Sequence, residues 1–231
     1  MIKNVLVVSP HADDETIGCA GTLKKLKRLG YNIHWLLVTE MTEEAGYSKS
    51  ECIDRKKEIK KVEKEFQFNS LSELKLIPAK LDNYPLSDII TKVKKVFDLI
   101  NPTDVFVTYR NDAHSDHQVV YDAVLSACKT FRSPYVKCVY AYETLSETEF
   151  GLKPEDSGFR PNTFVDITKE LNFKLNTSLI YSSQFGDFPF PRSTDAIKVL
   201  AQYRGIQSGC DYAEAFLLIK KIDKFNDIEG I

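Results

Sequence analysis

The run Val5-Leu6-Val7-Val8 limits what this chain can become more than any other feature. Four consecutive apolar residues, three of them β-branched, suit a strand covered on both faces, and such strands belong to parallel sheets with helices packed above and below. The run stops at Pro10. Beyond Asp14-Glu15 the apolar positions change to helical spacing at Ile17, Leu23, Leu26 and Leu29, with Gly30 placed to end the helix.

The strand, loop and helix unit then recurs. Ile33 to Val38 reads as a strand, Lys49 to Phe66 as a charged amphipathic helix, and Leu74 to Ile77 as a strand; Ser87 to Ile100 reads as a helix capped by Ser87. A buried strand follows at Asp104 to Thr108, then a helix from Asp116 to Phe131 and a strand from Val136 to Tyr142. Further on, Thr163 to Ile167 and Ala215 to Ile222 read as strands, with helices at Lys169 to Phe185 and Asp195 to Gln207. This alternation predicts an α/β fold: a Rossmann-like, doubly wound, mostly parallel sheet with helices on both faces. The chain has 231 residues, 43% of them hydrophobic and 28% charged, which is enough for one core and predicts a single domain over residues 1–231.

Charge narrows the partners. The 31 basic and 33 acidic residues are interspersed and leave a net charge of -2, so nothing draws the chain to nucleic acid or to an anionic bilayer. No run approaches the length of a membrane span, and the apolar run before Pro10 is too short for a secretory signal. A cytoplasmic enzyme acting on a small polar molecule is the expectation. The five cysteines are dispersed and never form a CxxC pair, which argues against a disulfide framework or a thiolate metal site.

Histidine carries more information. Of the four in the chain, His11 stands in PHADDE and His114 and His117 stand in HSDH, each cluster just beyond the carboxyl end of an expected strand. Ligands of open α/β sheets collect at that edge. His11, Asp14 and His117 can supply the three protein donors of a catalytic zinc ion, or of another divalent metal, with a fourth position left for water. Asp13 then faces the water as general base, and His114, as an imidazolium, faces the oxyanion of a tetrahedral intermediate. An Asp-Asp pair after a strand also has a plain structural reading as a helix N-terminal cap. His34, alone beside Trp35, reads as a packed histidine, and Gly18 and Gly21 read as close-packing positions in the first helix. The stretch FGDFPFPR at residues 185–192 reads as a structured loop that lines either a substrate pocket or an interface.

PHADDETIGCAG and HSDHQ resemble the two signature halves of the PIG-L/LmbE-like family of N-acetylglucosaminyl deacetylases, and the likeness continues through the RxxE helix at Arg55, PNTFVDIT, YSSQF and AEAF. The resemblance implies removal of an N-acetyl group from an amino sugar. Its metal is held by His11, Asp14 and His117, with Asp13 as base and His114 as the electrophilic or acid partner. It further implies that Asp116 orients a histidine, that Arg55 contacts substrate, and that a homo-oligomer is compatible with the fold. Two other readings use the same residues. A non-haem iron oxygenase would combine His11, Asp13 and a distant histidine, although many such sites sit on antiparallel β-folds. A non-catalytic sugar-binding protein would keep the metal for stability or recognition.

Overall fold

The structure, a computed structural model, describes residues 3–156 and 158–223. Seven strands form one sheet in the order β3-β2-β1-β4-β5-β7-β6. They are β1 (Asn4–Ser9), β2 (Asn32–Thr39), β3 (Ser70–Leu76), β4 (Asp104–Thr108), β5 (Cys138–Tyr142), β6 (Thr163–Asp166) and β7 (Ala213–Lys221). β1 to β5 are parallel, whereas β7 runs antiparallel to both β5 and β6. The helices are α1 (Asp14–Arg28), α2 (Lys49–Phe66), α3 (Leu86–Ile100), α4 (Ser115–Ala127), α5 (Leu171–Ser178) and α6 (Thr194–Ser208).

β1 shows why the Val-Leu-Val-Val run is decisive. Its side chains alternate between faces. Val5 and Val7 join Leu23, Trp35, Ile59, Val62 and Phe66 in the core under α1 and α2, and Leu6 and Val8 join Val93, Phe97, Val120 and Val124 in the core under α3 and α4. Each such buried aliphatic or aromatic side chain stabilises the fold by roughly 1.5–3 kcal/mol. β1 is flanked by β2 and β4, so the chain leaves it toward one side and later returns to the other. That reversal opens a crevice between the loops that follow β1 and β4, where ligands of doubly wound sheets collect.

Several boundaries differ from the sequence expectations, each for a local reason. α3 starts at Leu86 with Pro85, not Ser87, at its cap: the proline holds φ at -54° and its carbonyl takes the Asp88 N–H at 2.9 Å. α4 ends at Ala127 rather than Phe131, because the Lys129 carbonyl gathers the N–H groups of Arg132 and Ser133 into a turn. The helix expected from Lys169 to Phe185 is α5 followed by a short 3₁₀ turn at Ser182–Gln184; between them the fully buried Tyr181 swings inward to donate to Glu15 Oε1 at 2.9 Å. β3 begins four residues earlier than its apolar core, as suits an edge strand that needs only one dry face.

α1 is broken. Cys19 takes φ -146°, ψ 18°, so the Gly21 and Thr22 N–H groups lose their helical acceptors and donate instead to Glu214 Oε1 (2.9 Å) and Oε2 (2.7 Å). The buried Lys174 ammonium donates to the freed Ile17 carbonyl and to Glu214 Oε1, both at 2.6 Å. A Cβ on Gly18 would overlap the Tyr142 ring, and one on Gly21 would overlap Ile167, so the glycines serve close packing as expected. All five cysteines are free, and among the described residues no helix is long and apolar enough to cross a membrane.

Candidate metal and catalytic site

The loop after β1 carries the first half of the site. Asp13 stands at the N-cap of α1 with φ 149°, a conformation that a side chain with a Cβ adopts only under strain and that concentrates at functional positions. Its main-chain carbonyl accepts the Thr16 and Ile17 N–H groups, but its carboxylate makes no cap bond, so the plain capping role does not describe it. Asp14 opens the helix, fully buried, and its Oδ2 accepts the His11 main-chain N–H at 2.8 Å.

The loop after β4 supplies the second half. His117 lies in the first turn of α4, buried, with Nε2 3.5 Å from Asp14 Oδ1. One donor atom each from His11, Asp14 and His117 falls within 4.8 Å of the others, and a second such group joins His11, His114 and Asp116. Asp14 Oδ1, His117 Nε2 and Asp13 Oδ1 are all buried without a hydrogen-bond partner. Unpaired buried polar atoms are costly, and atoms from two loops that converge unpaired are the donor set a divalent cation satisfies. Asp13 is not one of the converging donors, so the carboxylate of this set is that of Asp14.

The two histidines of that set are each held from behind. His11 Nε2 lies 2.9 Å from Asp116 Oδ2, and Asp116 also accepts the N–H groups of Ala79 (2.7 Å) and Leu81 (3.2 Å). His117 Nδ1 lies 2.7 Å from Asp112 Oδ2, whose other oxygen accepts the Thr148 hydroxyl at 2.7 Å. Asp112 was not among the residues that the sequence singled out. It stands two positions before His114 on an irregular loop, where no periodicity points inward.

Electrostatics follow from burial and these pairings. Burial works against the charged form of both rings. Asp116 and Asp14 nevertheless hold His11 up at about 9, and Asp14 and Asp112 hold His117 up at about 10. Burial would raise Asp14, yet His117 and His11 keep it well below the usual carboxylate range. Metal-free, the site therefore gathers protons in place of a cation. Burial, with the Asp13 charge beside it, lifts Glu15 to about 8, a protonated carboxyl at neutral pH.

His114 corrects an expectation. Burial, and then the positive charge of His11, push it down to about 4, and its Nδ1 accepts the Asp116 N–H at 3.1 Å. An Nδ1 that accepts a main-chain N–H holds no proton of its own, which points to a neutral ring with its proton on Nε2 in place of the expected imidazolium.

His11, Asp13 and His114 face a cleft of about 410 Å³ that is also lined by Arg55, Glu147 and Arg192. Arg55 is committed to protein partners: it donates to the Ala12 carbonyl at 2.5 Å, pairs with Glu58 at 3.1 Å and lies over the Tyr181 ring. It braces the loop between His11 and Asp13 from beneath. The 185–192 loop sends Phe190 and Arg192 into the cleft wall and leaves Phe188 exposed, so part of this loop lines the pocket. Arg192 Nη1 donates to Asp13 Oδ2 at 2.7 Å. Arg192 ends the FGDFPFPR loop that the sequence marks, but no spacing in the sequence links it to Asp13.

Comparisons with known proteins identify a family and a shared fold. Residues 6–128 match the profile of the PIG-L family, described as GlcNAc-PI de-N-acetylase. A diacetylchitobiose deacetylase of Thermococcus kodakarensis is 27% identical over 238 residues, covering 96% of this chain and 85% of that protein. Among solved structures, the conserved protein TT1542 from Thermus thermophilus superposes with a TM-score of 0.77 at 25% identity, over 98% of each chain. The 4-carboxy-2-hydroxymuconate hydratase GalB from Pseudomonas putida superposes with a TM-score of 0.72 at 20% identity, over 98% of this chain and 100% of that one. A hydratase on the same fold means that chemistry has to be argued from the site.

Proposed function

Because the chain belongs to the PIG-L family of GlcNAc-PI de-N-acetylases, we propose that it is a metal-dependent hydrolase. In this reading it removes the N-acetyl group from an N-acetylglucosamine-type amino sugar or its conjugate and releases acetate. The observation that supports it most directly is the convergence of Asp14 Oδ1 and His117 Nε2, buried and unpaired, beside His11. These three residues would hold zinc or another divalent ion. Such an ion polarises an amide carbonyl and lowers the pKa of water toward neutrality.

The remaining chemistry falls to this chain's own side chains. Asp13, with one oxygen free of protein partners, takes a proton from water as its oxygen attacks the acetyl carbon. His114 donates its Nε2 proton as a hydrogen bond to the oxygen that gains charge, the donor that remains because its Nδ1 accepts the Asp116 N–H. The proton held by Asp13 passes to the departing nitrogen, so water and amide become acetate and amine. Asp116 and Asp112 orient His11 and His117, and Arg55 serves the substrate chiefly by holding the loop beneath it.

The sugar rests on likeness to relatives; amide hydrolysis rests on the donor set and the base. The test is acetate release from a panel that contains N-acetylglucosamine, diacetylchitobiose and lipid- or thiol-conjugated N-acetylglucosamine, using zinc-loaded protein with His11→Ala as control. Release by wild type alone supports the proposal, and equal release by the variant sinks it. Fully metallated wild type that releases nothing from any member leaves a sugar-binding protein as the better reading.

A further inference from the structure

Arg192 is placed with unusual care for a residue outside both histidine clusters. Its carbonyl accepts the Gly186 N–H at 3.1 Å, closing the loop, and the next residue, Ser193, caps α6 by accepting the Ala196 N–H at 3.1 Å. The guanidinium, itself largely buried, then spans the cleft. Nε donates to Ser146 Oγ at 2.7 Å, Nη1 to Asp13 Oδ2 at 2.7 Å and to Gln184 Oε1 at 3.4 Å, and Nη2 to Glu147 Oε1 at 3.4 Å.

The consequence lies in which Asp13 oxygen is left over. Oδ2 is taken by Arg192, whereas Oδ1 is buried and has no partner. A carboxylate on a strained backbone, with no cap bond to fix it, would otherwise rotate and offer either oxygen. Resting on the assignment of Asp13 as the base, we propose that Arg192 is a positioning residue: it pins Oδ2, so that Oδ1 alone takes the proton. Gln184, Ser146 and Glu147 hold the guanidinium in the plane this requires, so the 185–192 loop works on the reaction through Arg192 without touching the reacting atoms. Lysine, with one point charge in place of a planar fork, cannot hold the same set of partners.

The experiment compares Arg192→Ala, Arg192→Lys, Asp13→Asn and the Arg192→Ala/Asp13→Asn double variant, all zinc-loaded, on a substrate that wild type turns over. Arg192→Ala is expected to keep its zinc and its KM within about threefold while kcat falls about 10²-fold, the scale of a misplaced reacting group. Millimolar guanidinium chloride restores part of that loss, Arg192→Lys recovers less than a tenth of wild-type kcat, and the double variant is no worse than Asp13→Asn. A loss confined to KM, or one that guanidinium does not relieve, overturns positioning and makes Arg192 a substrate contact.

A readout without turnover runs beside it. Arg192→Ala lowers the unfolding midpoint of the metal-free protein by stranding a buried carboxylate, and Asp13→Asn in that background restores it; strictly additive shifts overturn the contact. The two ideas fail separately. Wild-type activity in Asp13→Asn removes the base assignment, whereas an inactive Asp13→Asn with a fully active Arg192→Ala removes only the role of Arg192.

Discussion

Two buried polar clusters sit on the same helix, one to two turns apart. At the break in α1, Glu214 has both oxygens bonded and shares one of them with Lys174, whose ammonium also meets the Ile17 carbonyl. At the helix start, Asp14 and His117 bring together two buried atoms, 3.5 Å apart, that have no hydrogen-bond partner, and Asp13 adds a third. Both clusters are charged and both join distant parts of the chain. The difference between them is closure. The closed cluster holds a backbone shape that an unbroken helix would not have; the open one is where the proposed metal ion would sit.

The largest expected effect breaks the open cluster. Asp14→Asn or His117→Ala should bring acetate release down to background and zinc content to a small fraction of wild type. The metal-free protein should also lose some of its unfolding midpoint, because either change removes one partner of the buried Asp14–His117 pair, but it should still fold cooperatively at low temperature. Zinc titration followed by elemental analysis, with thermal unfolding alongside, checks both halves. A variant that loses its fold together with its metal would show that the open cluster is structural after all.

Breaking the closed cluster should do the reverse. Glu214→Ala leaves the Lys174 charge and two α1 N–H groups without their carboxylate, and loss of one partner from a buried pair costs about 3–5 kcal/mol. The midpoint should fall by roughly 6–20 °C with zinc still bound at low temperature. Lys174→Met/Glu214→Leu should lose less than the sum of the single variants, because no charge is then stranded.

These two clusters also mark what the sequence could and could not say. The alternation of β1, α1, β2, α2 and their successors is written in side-chain periodicity, which the sheet merely obeys. His11, Asp14 and His117 were visible because scarce residues repeat at two strand ends. The task of Glu214 and Lys174 was not: Glu214 stands in the AEAF stretch and Lys174 in an ordinary helical context, and their pairing arises only because Cys19 breaks α1 in three dimensions. Asp112 and Arg192 likewise act across loops whose course no local pattern fixes. Closed cores follow from periodicity, whereas long-range polar partners need the fold.

A smaller effect sharpens the boundary of the open cluster. Asp112→Asn keeps the size of the side chain and its bond to Thr148 but weakens its hold on His117 Nδ1. Loss of such an orienting carboxylate typically costs about 10- to 100-fold in metal affinity, so competitive chelator titration should place the variant between wild type and His117→Ala. Affinity equal to wild type would assign Asp112 to loop anchoring through Thr148 alone.

A further effect is read by pH. In the metal-free protein, His11 and His117 lie at about 9 and about 10, above their ordinary 6.5, because Asp116, Asp14 and Asp112 outweigh the cost of burying the charge. Their protonation stabilises the fold fully below about pH 6.5, and that contribution is lost as pH rises through 9 and 10. The midpoint of metal-free protein should therefore decline between pH 7 and 10 beyond the decline of the zinc-loaded form, in which each ring would have given up one proton and kept the N–H that meets its carboxylate. Zinc binding near pH 7 must then expel close to two protons, and calorimetry in buffers of different ionisation enthalpy counts them. The closed cluster predicts the opposite for its own variants: Glu214→Gln should leave that proton count unchanged. A count near zero in wild type would mean that the open cluster is already unprotonated before its ion arrives, and would remove proton storage from the contrast between the two.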